Sequence, residues 1–366
     1  MTPPDGHPRA STDGAAVTGT RPPEGRPRCA AVHGARWVWL VSLAVSLGAL
    51  IAFLTQVEIA RVGALLAGSE PILLAAALVA FLLDALFRAV RLTVLVPNAR
   101  DHSVAGYLRV VALQGVYSMV IPARLGEVAY MVLLNRMLGL RPGAAVANVV
   151  YQRICDLVVG MALFGVAVAV VVDWDLLKPV AVGLPLLGLV AVIMLWMRIE
   201  RALDFLGRLL HRWPGRHWRP GRAMLRSVLQ ARRWSTLTSE PGRRARVLLY
   251  TVLQWICSVL GVAFLLLAFR DDMSVAELLF VGVGFQFVAA IPVYAIGGFG
   301  VAEAGLAGLL LILGYATGEA ASLSIAVRLL IFASPFLVFG LLSPAFLSGR
   351  RLASWRRGRA VAMRRY

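Results

Sequence analysis

Nine charged side chains stand inside otherwise apolar stretches of this 366-residue chain: Asp84, Arg88, Arg91, Arg124, Glu127, Arg153, Asp156, Glu303 and Arg328. In hydrocarbon each would cost about 2.5–3.5 kcal/mol, so each needs a partner or a wet cavity. An arginine offers a planar fork of donors suited to phosphate. A carboxylate beside it either balances that charge, takes a cationic group or carries a proton. Asp84 and Arg88 are four residues apart and Arg153 and Asp156 three apart, spacings that share a helix face. Such pairs either make insertion tolerable or form a site.

These residues sit in a pattern that occurs twice. The first copy reads Ile121-Pro122-Ala123-Arg124-Leu125-Gly126-Glu127; the second begins Ile291-Pro292 and runs through Gly297-Gly298-Phe299-Gly300 to Glu303. Each is an apolar helix, a Pro/Gly break and a carboxylate opening a second apolar helix. Each then reaches a glycine, Gly139 or Gly314, and fourteen residues later an arginine, Arg153 or Arg328. Proline removes a donor and glycine accepts positive φ, so helices end at Pro122, Gly126, Pro292, Gly297, Gly298 and Gly300 with free backbone groups. The following helix N-termini suit an anion such as phosphate. Glu127 and Glu303 either cap those helices or bind a cationic head group or coupling proton. Broken apolar segments at matching places in two halves point to a transporter's substrate site. The candidate substrate-binding residues are Arg124, Glu127, Arg153, Asp156, Glu303 and Arg328.

The elements that must position them are membrane helices. Hydrophobic residues make up 59% of the chain, far above a soluble domain, and the apolar runs are continuous rather than alternating. Stretches 37–57, 71–96, 104–122, 147–172, 180–199, 247–269, 275–293 and 321–344 are long enough to span; 126–140 and 301–314 are shorter. The expected fold is an all-α polytopic membrane protein of about eight hydrophobic segments. Residues 1–36 read as a disordered tail, 37–346 as the membrane domain with halves 37–199 and 247–346, 200–246 as a basic connecting loop, and 347–366 as a basic tail.

Charge orients the chain. Residues 198–246 hold thirteen arginines against Glu200, Asp204 and Glu240, and 349–366 hold seven with no acid. The 173–179 and 270–274 loops are mildly acidic. Basic loops stay cytoplasmic, which puts both termini inside a cell membrane. With that orientation the short segments return to the face from which their partners entered, giving two re-entrant hairpins that enter from opposite faces as an inverted repeat.

The 200–246 stretch, with Trp213, Trp218 and Trp234 interleaved, reads as a surface helix on anionic lipid rather than a nucleic-acid binder. Gln254 and Gln286 either line the same cavity or join helices. Among 37 basic residues Lys178 is the one lysine, which fits biased codon usage. Cys29, Cys155 and Cys257 form no CxxC, and no P-loop, GxSxG or HExxH pattern occurs. No metal, cofactor or catalytic group is expected.

At the repeated pattern the chain resembles the lysylphosphatidylglycerol synthase/flippase transmembrane family. Pro122-Ala123-Arg124-Leu125-Gly126-Glu127, Arg153-Ile154-Cys155-Asp156 and Gly297-Gly298-Phe299-Gly300-Val301-Ala302-Glu303 carry the likeness, over about residues 40–345. The resemblance implies flipping of charged or glycosylated lipids between leaflets. Gln152 stands where the family often has Glu, Tyr130 where a basic residue is common, Ile296 where Pro is, and Ala302 where Arg is. About 18 residues follow the last apolar segment, too few for the soluble aminoacyl-transferase domain of full synthases. The leading reading is a non-enzymatic flippase for a phospholipid or lipid-linked substrate. The alternatives are a membrane transferase acting on a lipid phosphate, or a scaffold for a partner glycosyltransferase.

Overall fold

The structure, a computed structural model, describes residues 59–97, 103–121, 125–171, 178–212, 219–238, 240–270, 272–289 and 300–347. The expected 37–57 span and both tails lie outside these, as do Pro122, Arg124, Pro292, Gly297 and Gly298.

Among the described residues every regular element is a helix: α1 Ile59–Ala67, α2 Pro71–Leu95, α3 Val104–Val120, α4 Leu125–Leu138, α5 Pro142–Val171, α6 Lys178–Arg212, α7 Arg219–Thr238, α8 Pro241–Phe269, α9 Val275–Val288, α10 Val301–Ile312 and α11 Thr317–Leu347. Four of them, α2, α5, α8 and α11, are long and apolar enough to cross a membrane. The short apolar α3, α9 and α10 have 17, 14 and 12 residues. At 1.5 Å per residue α3 covers only about 25 Å of a hydrocarbon core about 30 Å thick. The helices of the 104–122 and 275–293 segments thus stop at Val120 and Val288. This multi-pass, all-helical architecture matches the expected class.

Local chemistry sets the boundaries. Pro71 and Pro241 open α2 and α8 in the first turn, where a missing N–H costs nothing. Ser103 Oγ accepts the Gly106 amide at the start of α3, and Ser274 with Glu277 forms a full capping box on α9. Helices α4 and α10 end alike. Gly139 and Gly314 take φ of 77° and 89°, and the next residues donate back into the last turn, Leu140 N to Leu134 O across seven residues and Tyr315 N to Leu310 O across six, each 3.2 Å. The α10 end, where Gly314 N also donates to Leu311 O, is a Schellman motif, while at the α4 end Gly139 N donates to Asn135 O; in both the left-handed residue is glycine, which avoids a Cβ penalty.

Packing repeats between the halves. Helix α2 packs on α8, the opening helix of the second half. The contacts α2–α3, α3–α4 and α4–α5 have counterparts in α8–α9, α9–α10 and α10–α11. Across the halves, α3 packs on α11 and α9 packs on α5, a reciprocal exchange of neighbours. Small residues allow the close approach. A Cβ on Gly261 would lie 2.6 Å from the Phe81 ring, and one on Gly126 would lie 2.8 Å from Ser118 Cα.

The 200–246 stretch, expected as a basic connection with a surface helix, holds the end of α6, all of α7 and the start of α8. Helix α7 does not simply lie on lipid. Val228, Ala231 and Trp234 are buried, Trp234 Nε1 donates to Leu95 O at 3.2 Å, and its ring meets Tyr151 edge-on at 5.7 Å. The N–H of Gly143, at the start of α5, donates to Gln230 Oε1 at 3.1 Å. The apolar stripe of α7 therefore packs on protein while Arg222, Arg226, Arg232 and Arg233 stay exposed. At the other end of α8, Arg270 binds both Asp272 and Glu319, and its guanidinium stacks 4.7 Å from the Tyr315 ring. The Arg270 hydrogen bonds hold the Asp272 carboxyl below the usual carboxylate range.

Candidate functional site

The ends of both short-helix pairs meet one cavity of about 320 Å³. Ser118 and Ile121 from the end of α3, Glu127 from the first turn of α4, Gln286 and Ala289 from the end of α9, and Ala302 from the start of α10 all line it. The long helices complete the wall with Arg88 and Arg91 of α2, Arg153 and Asp156 of α5, Gln254 of α8 and Arg328 of α11.

Two ion pairs in the halves correspond. Arg153 Nη2 lies 2.8 Å from Glu127 Oε1, and Arg328 Nε lies 3.1 Å from Glu303 Oε1. In each half the tip carboxylate is bound by the arginine of the next long helix. Their surroundings differ sharply. The Arg153 and Glu127 side chains are 53% and 28% exposed, whereas those of Arg328 and Glu303 are 6% and 2%. Glu303 also caps its helix, since Gly300 N donates to Oε2 at 2.6 Å and Gly300 itself sits at φ 94°. The capping expected from sequence thus coexists in this one carboxylate with pairing to Arg328. Glu303 stands behind Arg328, which faces the cavity; Gly126 is spent on the close contact with Ser118.

The nearest partner of Asp156 is not Arg153. Arg91 Nη1 reaches Asp156 Oδ1 at 2.6 Å, while Arg153 Nη1 stays 3.7 Å from Oδ2. The i,i+3 spacing does bring Arg153 near, but the buried guanidinium of Arg91 arrives from another helix with better geometry. Arg91 also donates to Gln152 Oε1 and Thr251 Oγ1, both at 3.1 Å. Gln152 Nε2 donates to Tyr130 Oη at 3.2 Å and to Asn148 Oδ1. The two positions where an acid and a base are common in the resembled family thus hold a neutral pair in direct contact. Asp84 and Arg88 meet as their spacing requires, at 3.0 Å.

Arg91, Gln152, Tyr130, Thr251 and Asn148 were absent from the candidate site read from sequence. Their signal was present, as polar groups in apolar runs, but their meeting depends on helices up to 160 residues apart. Gln254 and Gln286 both line the cavity, and Gln286 Nε2 also donates to Ser258 Oγ at 2.6 Å. No group of three or more metal-ligating side chains occurs among the described residues.

The family described as "Lysylphosphatidylglycerol synthase TM region" matches residues 39–338. The chain belongs to this family. The match runs from before α1 well into α11, so the family region contains every residue that lines the cavity. Comparison with curated proteins and with solved structures returned no match.

Proposed function

We propose that this chain moves a phospholipid or lipid-linked substrate between the leaflets of the cell membrane, without chemical conversion. The observation that supports this most directly is the convergence of both short-helix pairs on one arginine-bearing cavity. On this reading α3/α4 and α9/α10 are re-entrant hairpins entering from opposite faces of an inverted repeat. The reciprocal α3–α11 and α5–α9 packing is what such a repeat requires. The half-exposed Arg153–Glu127 pair is the element able to exchange partners with a passing phosphate, because part of its hydration persists in the cavity. The buried Arg328–Glu303 pair fixes the opposite wall. Both termini face the cytoplasm, and the arginines of α6 and α7 rest against anionic lipid there.

The test is a fluorescent phospholipid in both leaflets of reconstituted vesicles, with a membrane-impermeant quencher added outside. Transport exposes nearly all of the dye, whereas protein-free vesicles protect about half. Glu127→Ala and Arg153→Ala should each return the signal to the protein-free level. Protection of half the dye by the folded wild-type protein across a broad lipid panel would refute the proposal.

A further inference from the structure

Among the described residues four arginines line the cavity, and they engage their donors differently. A guanidinium carries N–H groups on Nε and on both terminal nitrogens, and the terminal pair is a fork that matches two oxygens of a phosphate. In Arg91 this fork is filled: Nη1 binds Asp156 and Thr251, Nη2 binds Gln152, and the side chain is 4% exposed. Arg153 divides its fork between two carboxylates, with Nη2 on Glu127 and Nη1 nearest Asp156. Arg328 binds Glu303 and is 6% exposed. Arg88 differs from all three. It meets Asp84 through Nε, 3.1 Å from Oδ1 and 3.0 Å from Oδ2, and neither terminal nitrogen makes a hydrogen bond among the described residues. Neither is walled off as Arg91 Nε is, and the side chain is 34% exposed. Arg88 lines the cavity, whereas its carboxylate partner is not part of the lining.

We infer that Arg88, absent from the candidate site read from sequence, anchors the phosphate of the lipid in this cavity, with Asp84 as its positioning residue. The two stand four residues apart on α2, so the carboxylate shares a helix face with the guanidinium and holds it by the Nε edge. That contact fixes the plane of the guanidinium and leaves the terminal fork for a ligand. The other wall arginines cannot take a phosphate in this way. At Arg153 a phosphate has to displace Glu127; at Arg88 it adds to donors that nothing else holds. An arginine with an open fork inside an apolar helix is costly to keep, and a bound phosphate offsets that cost. Before lipid arrives, Asp84 keeps the pair neutral, so the same two residues make insertion tolerable and form part of a site. The inference rests on the lipid-transport reading and adds to it the residue that receives the phosphate without exchange.

The experiment titrates the purified full chain in detergent, by calorimetry, with three probes: dihexanoyl phosphatidylmethanol, which carries a phosphodiester and no other head group, dihexanoylglycerol, which lacks the phosphate, and inorganic phosphate. The wild type should bind phosphatidylmethanol about tenfold or more tighter than dihexanoylglycerol. Arg88→Gln should bring phosphatidylmethanol down to the level of dihexanoylglycerol. Arg88→Lys keeps the charge beside Asp84 but loses the fork, and should weaken phosphatidylmethanol by about tenfold with dihexanoylglycerol unchanged. If the glutamine variant does not fold, the lysine variant decides the matter. A folded variant that binds phosphatidylmethanol as the wild type does would overturn the inference, and so would one that weakens both lipids equally, which marks a structural role. Inorganic phosphate bound as tightly as phosphatidylmethanol would overturn the assignment to lipid. The vesicle assay separates this inference from the reading beneath it. Dye crossing in a wild type without phosphate preference sinks the role of Arg88 alone; preference without crossing sinks transport alone; loss of both signals removes both.

Discussion

Glu303 is bound by Arg328 at 3.1 Å in surroundings where neither side chain is more than a few per cent exposed. Removing one partner strands the other charge in a dry interior, which costs about 3–5 kcal/mol. Arg328→Ala should therefore lower the melting temperature of the detergent-solubilised protein severely. The double replacement Glu303→Leu/Arg328→Leu should recover most of that loss, because two matched apolar groups leave no uncompensated charge. A single variant as stable as the wild type would show that water reaches this pair.

Arg91 and Arg153 should behave oppositely on replacement. Arg91→Ala takes the 2.6 Å partner from Asp156 and a donor from both Gln152 and Thr251, so its cost falls in the same range of about 3–5 kcal/mol. Arg153 is half exposed, and loss of such a pair costs about 0–1 kcal/mol. Arg153→Ala should stay folded while losing lipid transport. Denaturation curves read beside the vesicle assay check both, and a reversed order of stabilities would contradict the pairing described here.

Gly126→Ala should loosen the first short-helix pair. Its Cβ would lie 2.8 Å from Ser118 Cα, a backbone atom that no side-chain rotation moves away. Such overpacking costs about 1–3 kcal/mol. Gly308→Ala, whose added methyl meets nothing within 4 Å, should be nearly silent in the same melting assay. Equal effects would show that α3 and α4 do not approach this closely.

Orientation is open to cysteine labelling. In a background free of native cysteines, Asp175→Cys and Asp272→Cys should react with an impermeant maleimide on intact cells. Gly215→Cys and Trp355→Cys should react only after permeabilisation. Labelling of position 215 from outside would invert the topology proposed from the arginine distribution.

Much of this architecture is legible in the chain because membrane helices follow local rules. Hydrophobic length, Pro71, Pro241 and the two glycines at 139 and 314 mark ends that need no tertiary information. The equivalence of Glu127 with Glu303, and of Arg153 with Arg328, follows from spacing and reappears as two matching ion pairs. Asp156 shows where spacing runs out. Its neighbour three residues back was visible in sequence, whereas Arg91, 65 residues away, becomes its nearest partner only once α2 and α5 both pack on α8. The packing of helix α7 on protein hid for a different reason. Its many arginines mark a solvated surface, and one apolar stripe of Val228, Ala231 and Trp234 is a weak signal for a packed helix.

The contrast between the Glu127–Arg153 and Glu303–Arg328 pairs bears on energetics. A transporter made of two identical halves, exchanging conformations about a two-fold axis, would have two end states of equal free energy and spend half its time in each. Here one half leaves its pair partly exposed and the other buries it, so interchanging their roles would bury one pair and expose the other. Those two operations involve different helices and different neighbours, and the degeneracy is lifted. On the lipid-transport reading, this asymmetry gives the chain a preferred resting conformation before any lipid or gradient acts on it, set by which half keeps its carboxylate buried.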